Sequence, residues 1–460
     1  MSHPVLAPRW SSSTRFVVVT IAALFSLSNL WRLPYLLSEH GGGAFLLVYV
    51  LALVTMGLPL LSGQLLMARG TGTDVPGVLS HWTRDSAHSR LWVWCGYLAV
   101  AGAGLLLAAY SVVAAWALAY CMRAVTGVLD GSSLDTAQAQ FVAFARDSER
   151  GFGWLLLFFC LLCATASRGL RRGVEPVMRT LALCMIAGLM LLGVSAVFDP
   201  HAGSAARAMF AVDFTALGTQ GVLEALYQAF FSLSLGSGVI VAFGAYLPDD
   251  ARVVRLSLIV ILADVLAALT SAFVLGVFVS GSGMHLGEGV QSVFEILPVA
   301  LDGSWRAPIV FVLVALVCVS TAIGLFEPVV RTVERRSGFS RLRSSLYAGL
   351  GLTLVGLLGL MSFGALGDWR LLGYDPFGWL LLAATHVIGP ICGLLLCVLL
   401  GRVLARRRLV EAWHADDRPR RAVGFAVWHG LLRYPCRIAL VVMLAYALGV
   451  FTLAKRIWGL

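Results

Sequence analysis

Between Ala22 and Phe45 the sequence reads AALFSLSNLWRLPYLLSEHGGGAF, and this stretch limits the possible folds more than any other. It starts inside an apolar run long enough to cross a bilayer. It then places Ser26, Leu27, Ser28 and Asn29 at mid-depth, Arg32 and Pro34 shortly after, and a turn at Gly41, Gly42 and Gly43 that opens a second long apolar run. In water this would be a poor helix. In a membrane, irregular backbone is tolerated only where it is buried in protein or lines a cavity, so an interrupted first span points to a binding site.

The rest of the chain fits that setting. Of its 460 residues 59% are hydrophobic and 13% charged, which excludes an ordinary globular enzyme. A helix needs about 20 apolar residues to cross the hydrocarbon, and on that rule eleven spans are expected, at roughly 16–37, 43–69, 91–123, 153–170, 174–198, 219–247, 254–280, 306–333, 343–364, 377–404 and 427–453. The net charge of +10 could suggest nucleic acid, but its distribution argues for none. Arginines gather in alternate loops, at Arg168, Arg171 and Arg172, then Arg335, Arg336, Arg341 and Arg343, then Arg406, Arg407, Arg408, Arg418, Arg420 and Arg421. The intervening loops hold Glu39, Asp130, Asp135, Asp199, Asp213, Glu288 and Asp302. By the positive-inside rule the arginine-rich loops, and the amino terminus with Arg9 and Arg15, are cytoplasmic. The carboxyl terminus is then external, with Lys455 and Arg456 against the rule. The last arginine cluster also suits lipid headgroups. The first span lacks a small-residue cleavage site and is expected to stay in the mature protein. Cysteines such as Cys160, Cys163, Cys318 and Cys392 lie in apolar spans and read as small hydrophobes rather than metal ligands.

A second interruption falls in QGVLEALYQAFFSLSLGSGVIVAFGAYL, where Ser232, Ser234, Gly236, Ser237 and Gly238 divide the sixth span. Breaks five spans apart are the mark of an inverted-repeat transporter. Asp264 sits inside the seventh span, where a carboxylate costs about 2.5–3.5 kcal/mol on insertion scales and is expected to face a cation. Tyr110 in the third span needs a partner for its hydroxyl. Ser320 and Thr321 in the eighth span either bond back to their own carbonyls or face a site. Residues 281–305 are long enough for a helical cap, and His386 in span ten suits a hydrogen bond between helices.

Together, SNLWRLPYLLSEHGGGAF and QAFFSLSLGSG resemble the signatures of the first and sixth spans of the neurotransmitter:sodium symporter family, bacterial amino-acid branch. The resemblance implies an all-α polytopic membrane protein with an inverted five-helix repeat (spans 1–5 and 6–10). The expected division is 1–15 cytoplasmic tail, 16–198 first repeat, 199–218 external loop, 219–404 second repeat, 405–426 basic cytoplasmic loop, and 427–460 span 11 with an external end. It further implies two sodium sites. One would use Asn29, Ser232 and Asp264 with the carbonyl of Leu24; the other would use the hydroxyls of Ser320 and Thr321 with the carbonyls of Ala22, Phe25 and Val317. Oxygen ligands are what a hard cation requires. Tyr110 and backbone amides from Leu24 to Ser28, including Ser26 and Leu27, would hold a substrate carboxylate. Phe231 would close over the substrate, and Leu106, Ser232, Ser234, Ser237, Thr321 and Leu325 would line its pocket. Arg32 and Asp375 match an external gate pair, while Arg9, Trp10 and Tyr246 match an internal gate with Glu334 as acidic partner.

Three departures from the family pattern matter. Ser26 and Ser28 replace two glycines, and Ser26 stands where monoamine carriers place an aspartate, which favours a substrate bearing its own carboxylate. Asp264 replaces an asparagine common in relatives, so its charge would substitute for the chloride that animal members bind near Tyr49, Gln228 and Ser232. The proline expected after Gly173 is absent, with Leu183 in its place. The expected function is sodium-coupled import of a neutral, hydrophobic or aromatic amino acid by alternating access, without chloride, by a monomer or homodimer in a bacterial inner membrane. The alternatives are a carrier of another small carboxylate-bearing solute or osmolyte, and an amino-acid sensor that does not transport. No nucleophile, base and orienting partner occur together, so no enzyme is expected.

Overall fold

The computed structural model describes residues 9–84, 89–284, 287, 289–414 and 422–449. Arg418, Arg420, Arg421, Glu288, Lys455 and Arg456 lie outside them. All regular structure among the described residues is helical. The first membrane run divides into α1 (Ser13–Leu24) and α2 (Ser28–Glu39), bent by 65° at the polar break. Then come α3 (Gly43–Ala68), a short α4 (Val75–Thr83), α5 (Ser89–Val125), a loop helix α6 (Leu134–Arg146), α7 (Ser148–Ser167), α8 (Leu170–Val197) and a connecting α9 (Ala202–Phe210). The second interrupted run divides into α10 (Phe214–Ser232) and α11 (Val239–Gly244). It is followed by α12 (Val253–Gly281), α13 (Ser292–Ala300), α14 (Arg306–Ser337), α15 (Arg341–Met361) and α16 (Pro376–Val403). Last come α17 (Arg406–His414), α18 (Ala422–Arg433) and α19 (Pro435–Ala447).

Among the described residues nine helices are long and apolar enough to cross a membrane, ten if α1 and α2 count as one span. The expected eleven is not reached on that measure, because the sixth run is split into α10 and the six-residue α11. Depth in the bundle follows composition. Helix α14 is mostly buried, whereas α8 leaves Leu183, Ile186, Met190 and Val194 exposed in a row down one side. A stripe of that size is an aggregation hazard in water and an ordinary face in lipid. The region 281–305 does contain a helix, α13, whose Phe294 stacks on Phe141 of α6 with ring centres 5.8 Å apart.

The glycine turn between α2 and α3 ties the two broken runs together. Gly41 and Gly42 both have positive φ, and Gly43 N–H donates to the carbonyl of Ala211 at 2.7 Å. A Cβ on Gly41 would lie 2.1 Å from the carbonyl oxygen of Asp213, so only glycine permits this approach. Asp213 in turn caps α10, accepting from the N–H groups of Thr215 and Ala216. Hydrogen bonds from the Thr215 side chain and then from these amides hold its carboxyl below the ordinary aspartate value. At the Leu183 position α8 runs unbroken, and its only irregularity is a π-helical turn at Leu170–Val174.

Candidate functional site

The two breaks meet in the middle of the bundle. In the first, Phe25 N–H closes α1 on the carbonyl of Ile21, and Leu27 N–H points to the hydroxyl of Tyr110 at 3.4 Å. In the second, Ser234, Gly236 and Gly238 adopt positive φ, a run of backbone no helix could contain. The Ser237 hydroxyl donates to the carbonyl of Ser234 at 2.6 Å and holds the turn. Leu325 and Leu24 are buried, Leu106 is half-buried, and Phe231 stacks on Tyr227 with ring centres 5.9 Å apart.

Beside the first break, Asn29 and Asp264 are fully buried and joined by an Asn29 Nδ2 to Asp264 Oδ1 hydrogen bond of 2.7 Å. The remaining oxygens, Asn29 Oδ1 and Asp264 Oδ2, find no donor. Burying a carboxylate and two spare acceptors is costly unless a cation or proton answers them. Ser232 lies close by, its hydroxyl 3.4 Å from that of Tyr49. The structure brings the second proposed ion site together as well. Thr321 of α14 donates its hydroxyl to the carbonyl of Phe25 at 3.3 Å, and Ser320 donates to that of Val317 at 3.1 Å. Ala22 is buried in the adjoining last turn of α1. The Ser28 hydroxyl turns toward α10 and donates to Gln228 Oε1 at 3.0 Å.

Both expected gate pairings differ in the structure. Arg32 pairs with Glu224 of α10 at 2.7 Å, not with Asp375. Asp375 is committed as the N-cap of α16, accepting from Gly378 N–H at 2.6 Å, with Arg370 at 3.9 Å. At the other end Arg9 pairs with Asp249 at 3.2 Å rather than with Glu334, which faces the start of α15 and binds Arg341 at 3.1 Å. Trp10 and Tyr246 do meet: Trp10 N–H donates to the carbonyl of Tyr246 at 3.1 Å, and Trp10 Nε1 donates to that of Phe243 at 2.8 Å. Tyr246 donates to Glu327, which also accepts from Arg341, and Arg331 donates to the Tyr246 hydroxyl at 2.9 Å. The His386 bond is local, to Thr385 at 2.7 Å.

Besides Asp249 and Arg331, sequence reasoning missed Glu224 and Glu327. Each is a carboxylate inside an apolar run, LEALYQ and GLFEPVV, and the rule that singles out Asp264 would have found both.

Residues 7–140 and 151–330 match the model of the sodium:neurotransmitter symporter family. An uncharacterized sodium-dependent transporter of Bacillus subtilis, YhdH, is 26% identical, with 96% of this chain and 98% of that protein covered. The sodium-dependent dopamine transporter of Bos taurus is 26% identical over 70% of this chain and 53% of its own length. Among solved structures, MhsT in complex with L-phenylalanine superposes with a TM-score of 0.85 at 27% identity, covering 96% of this chain and 99% of that one. The broken runs, the buried oxygen cluster and these similarities have one common reading: the chain belongs to the sodium:neurotransmitter symporter family and is a sodium-dependent membrane transporter.

Proposed function

We propose that the chain imports a neutral, hydrophobic or aromatic amino acid together with sodium, by alternating access. The observation that carries this is the Tyr110 hydroxyl beside the Leu27 amide, a few residues from the buried Asn29–Asp264 pair. A carboxylate held at the break would lie next to the first cation, so that solute and ion stabilise each other's site. Asn29, Ser232, Asp264 and the Leu24 carbonyl would take one sodium ion; Ser320, Thr321 and the carbonyls of Ala22, Phe25 and Val317 a second. Asp264 supplies the fixed negative charge that makes chloride unnecessary. Leu106, Phe231 and Leu325 give the side-chain pocket an apolar wall, with Ser26, Ser234 and Ser237 at its polar edge. That MhsT binds L-phenylalanine supports an apolar side chain here. Arg32 with Glu224 closes one end, proposed as external, and the Trp10–Tyr246 cluster closes the cytoplasmic end of a bacterial inner-membrane protein.

The test is thermal stabilisation of the purified protein by each of the twenty amino acids, in sodium and then in potassium. A ligand bound to the folded state raises its stability by about 2.7 kcal/mol at a hundredfold excess over Kd. Stabilisation by a few apolar amino acids in sodium alone is expected. Stabilisation that is equal in potassium, or by no amino acid, overturns the proposal.

A further inference from the structure

We propose that Arg402, Arg433 and Arg437 form a binding site for the phosphate of an anionic phospholipid, where the end of α16 meets α18 and α19. Arg433 and Arg437 lie on either side of the break at Tyr434 and Pro435, within a 25-residue segment, Val423–Ala447, long and apolar enough to cross the membrane. Their depth follows from a neighbour. Cys436 donates to the carbonyl of Thr55, which lies midway along α3, and Arg437 Nη2 donates to the carbonyl of Cys397 at 2.9 Å, short of the end of α16 at Val403. A charged side chain at such a level is expensive and marks a site by default.

Among the described residues the cluster has positive charge without a carboxylate paired to it. Elsewhere Arg9, Arg15, Arg32, Arg306, Arg336 and Arg341 each reach a carboxylate within 3.3 Å. Among the described residues none of the three clustered arginines is in an ion pair. Among the described residues Arg437 Nε is buried with no acceptor, and the Arg433 guanidinium lies 5.8 Å from the ring of Tyr434. The arginines crowd one another. A Cβ on Gly401 would stand 2.5 Å from Arg437 Nη2 and 3.7 Å from the Cα of Arg433, which brings Arg402 onto the same patch. Several like charges packed in a low-dielectric setting call for an anion, and guanidinium forks match phosphate oxygens bidentately.

The surroundings favour a lipid over a dissolved anion. Val423, Val427, Tyr434, Ile438 and Val441 on the same two helices are all more than half exposed, an apolar surface that acyl chains would cover while the headgroup dips to the arginines. Gly401 leaves room for the Arg437 guanidinium to reach the Cys397 carbonyl near the end of α16.

The experiment uses the full chain in nanodiscs of phosphatidylcholine, with and without phosphatidylglycerol, read by thermal melting and by native mass spectrometry of the retained lipid. Phosphatidylglycerol is expected to raise the melting temperature at a low mole fraction and to stay bound. Arg402→Gln, at an exposed arginine in no side-chain hydrogen bond among the described residues, should weaken retention about tenfold, the loss of one charge-assisted contact. Arg433→Gln with Arg437→Gln should abolish it, and Arg407→Gln, whose partner is Glu411, should change nothing. Retention unchanged in Arg402→Gln and in the double variant overturns the proposal. Equal stabilisation by inorganic phosphate in pure phosphatidylcholine overturns the assignment to lipid.

Discussion

At the residue scale the decisive choice is Asp264. Asn29 donates to one of its oxygens at 2.7 Å, an arrangement an asparagine at 264 could accept equally well through its own carbonyl oxygen. Asp264→Asn therefore keeps the hydrogen bond and removes the charge. The variant is expected to fold and to lose sodium affinity by roughly 10–100-fold, the worth of one charge-assisted contact. Part of that loss should return with chloride, because the Tyr49 and Ser232 hydroxyls are donors beside the vacated charge, and the buried Gln228 Nε2, without an acceptor among the described residues, lies one turn before Ser232 on α10. Sodium titrations in chloride and in gluconate would decide; wild-type affinity of Asp264→Asn in gluconate would mean that the charge does not replace an anion. Ser28 belongs to the same account. Its hydroxyl is used on Gln228, so this serine would narrow the proposed carboxylate site less than its position in the sequence suggests.

At the element scale the broken runs depend on contacts far apart in sequence. Gly41→Ala would force a methyl onto the Asp213 carbonyl, and the hairpin would have to leave the segment that caps α10. A loss of more than about 2 kcal/mol in denaturant or thermal unfolding is expected, beyond the usual effect of a surface change. An unchanged melting temperature would show that the turn is adaptable. A second tie joins the end of α8 to the start of α14. Burial alone would raise the Asp199 carboxyl, but hydrogen bonds from Arg306 at 2.8 Å and from His201 outweigh it and hold the carboxyl below its ordinary value. A lowered carboxyl stabilises the fold fully above the unfolded value near about 4 and loses that contribution as pH falls through its own lower value. Melts from neutral pH downward should therefore show a smaller acid-induced loss in Asp199→Asn than in the wild type. Equal losses would mean that the tie is not felt. How much of this was legible varies by element. The helices and the two breaks were readable, because polar residues in apolar runs are rare and each demands a reason, whereas the meeting of Asn29 with Asp264 was expected from the family resemblance alone. The partners were not. Asp375 precedes a proline and caps a helix, and nothing local shows that Arg32 will instead find Glu224, 192 positions away. Helix length and apolarity among the described residues do not confirm the eleven spans, for a physical reason: the break that marks the site also shortens the helix by which a span is recognised.

At the scale of the whole molecule, alternating access requires two closures that can open separately, and the structure ties both ends at once. Arg32 and Glu224 join α2 to α10 at one end; Tyr246, Glu327, Arg331 and Arg341 join α11, α14 and α15 at the other. Each set holds a partly or fully buried charge, so removing one member leaves the other unanswered. Glu327→Gln takes the carboxylate from Arg341, which keeps only Glu334, and weakens the bond to Tyr246. A loss of about 1.5–3 kcal/mol on that side alone would shift the balance roughly 10–100-fold toward the state open there. Glu224→Gln should do the reverse. Hydrogen exchange would separate the two. In Glu327→Gln, amides from Trp10 through α1 and in α11 should exchange faster while those of α2 stay protected; in Glu224→Gln the pattern should invert. If either variant loosened both ends together, the two clusters would be parts of one rigid core, and transport would have to be explained by some other pair of closures.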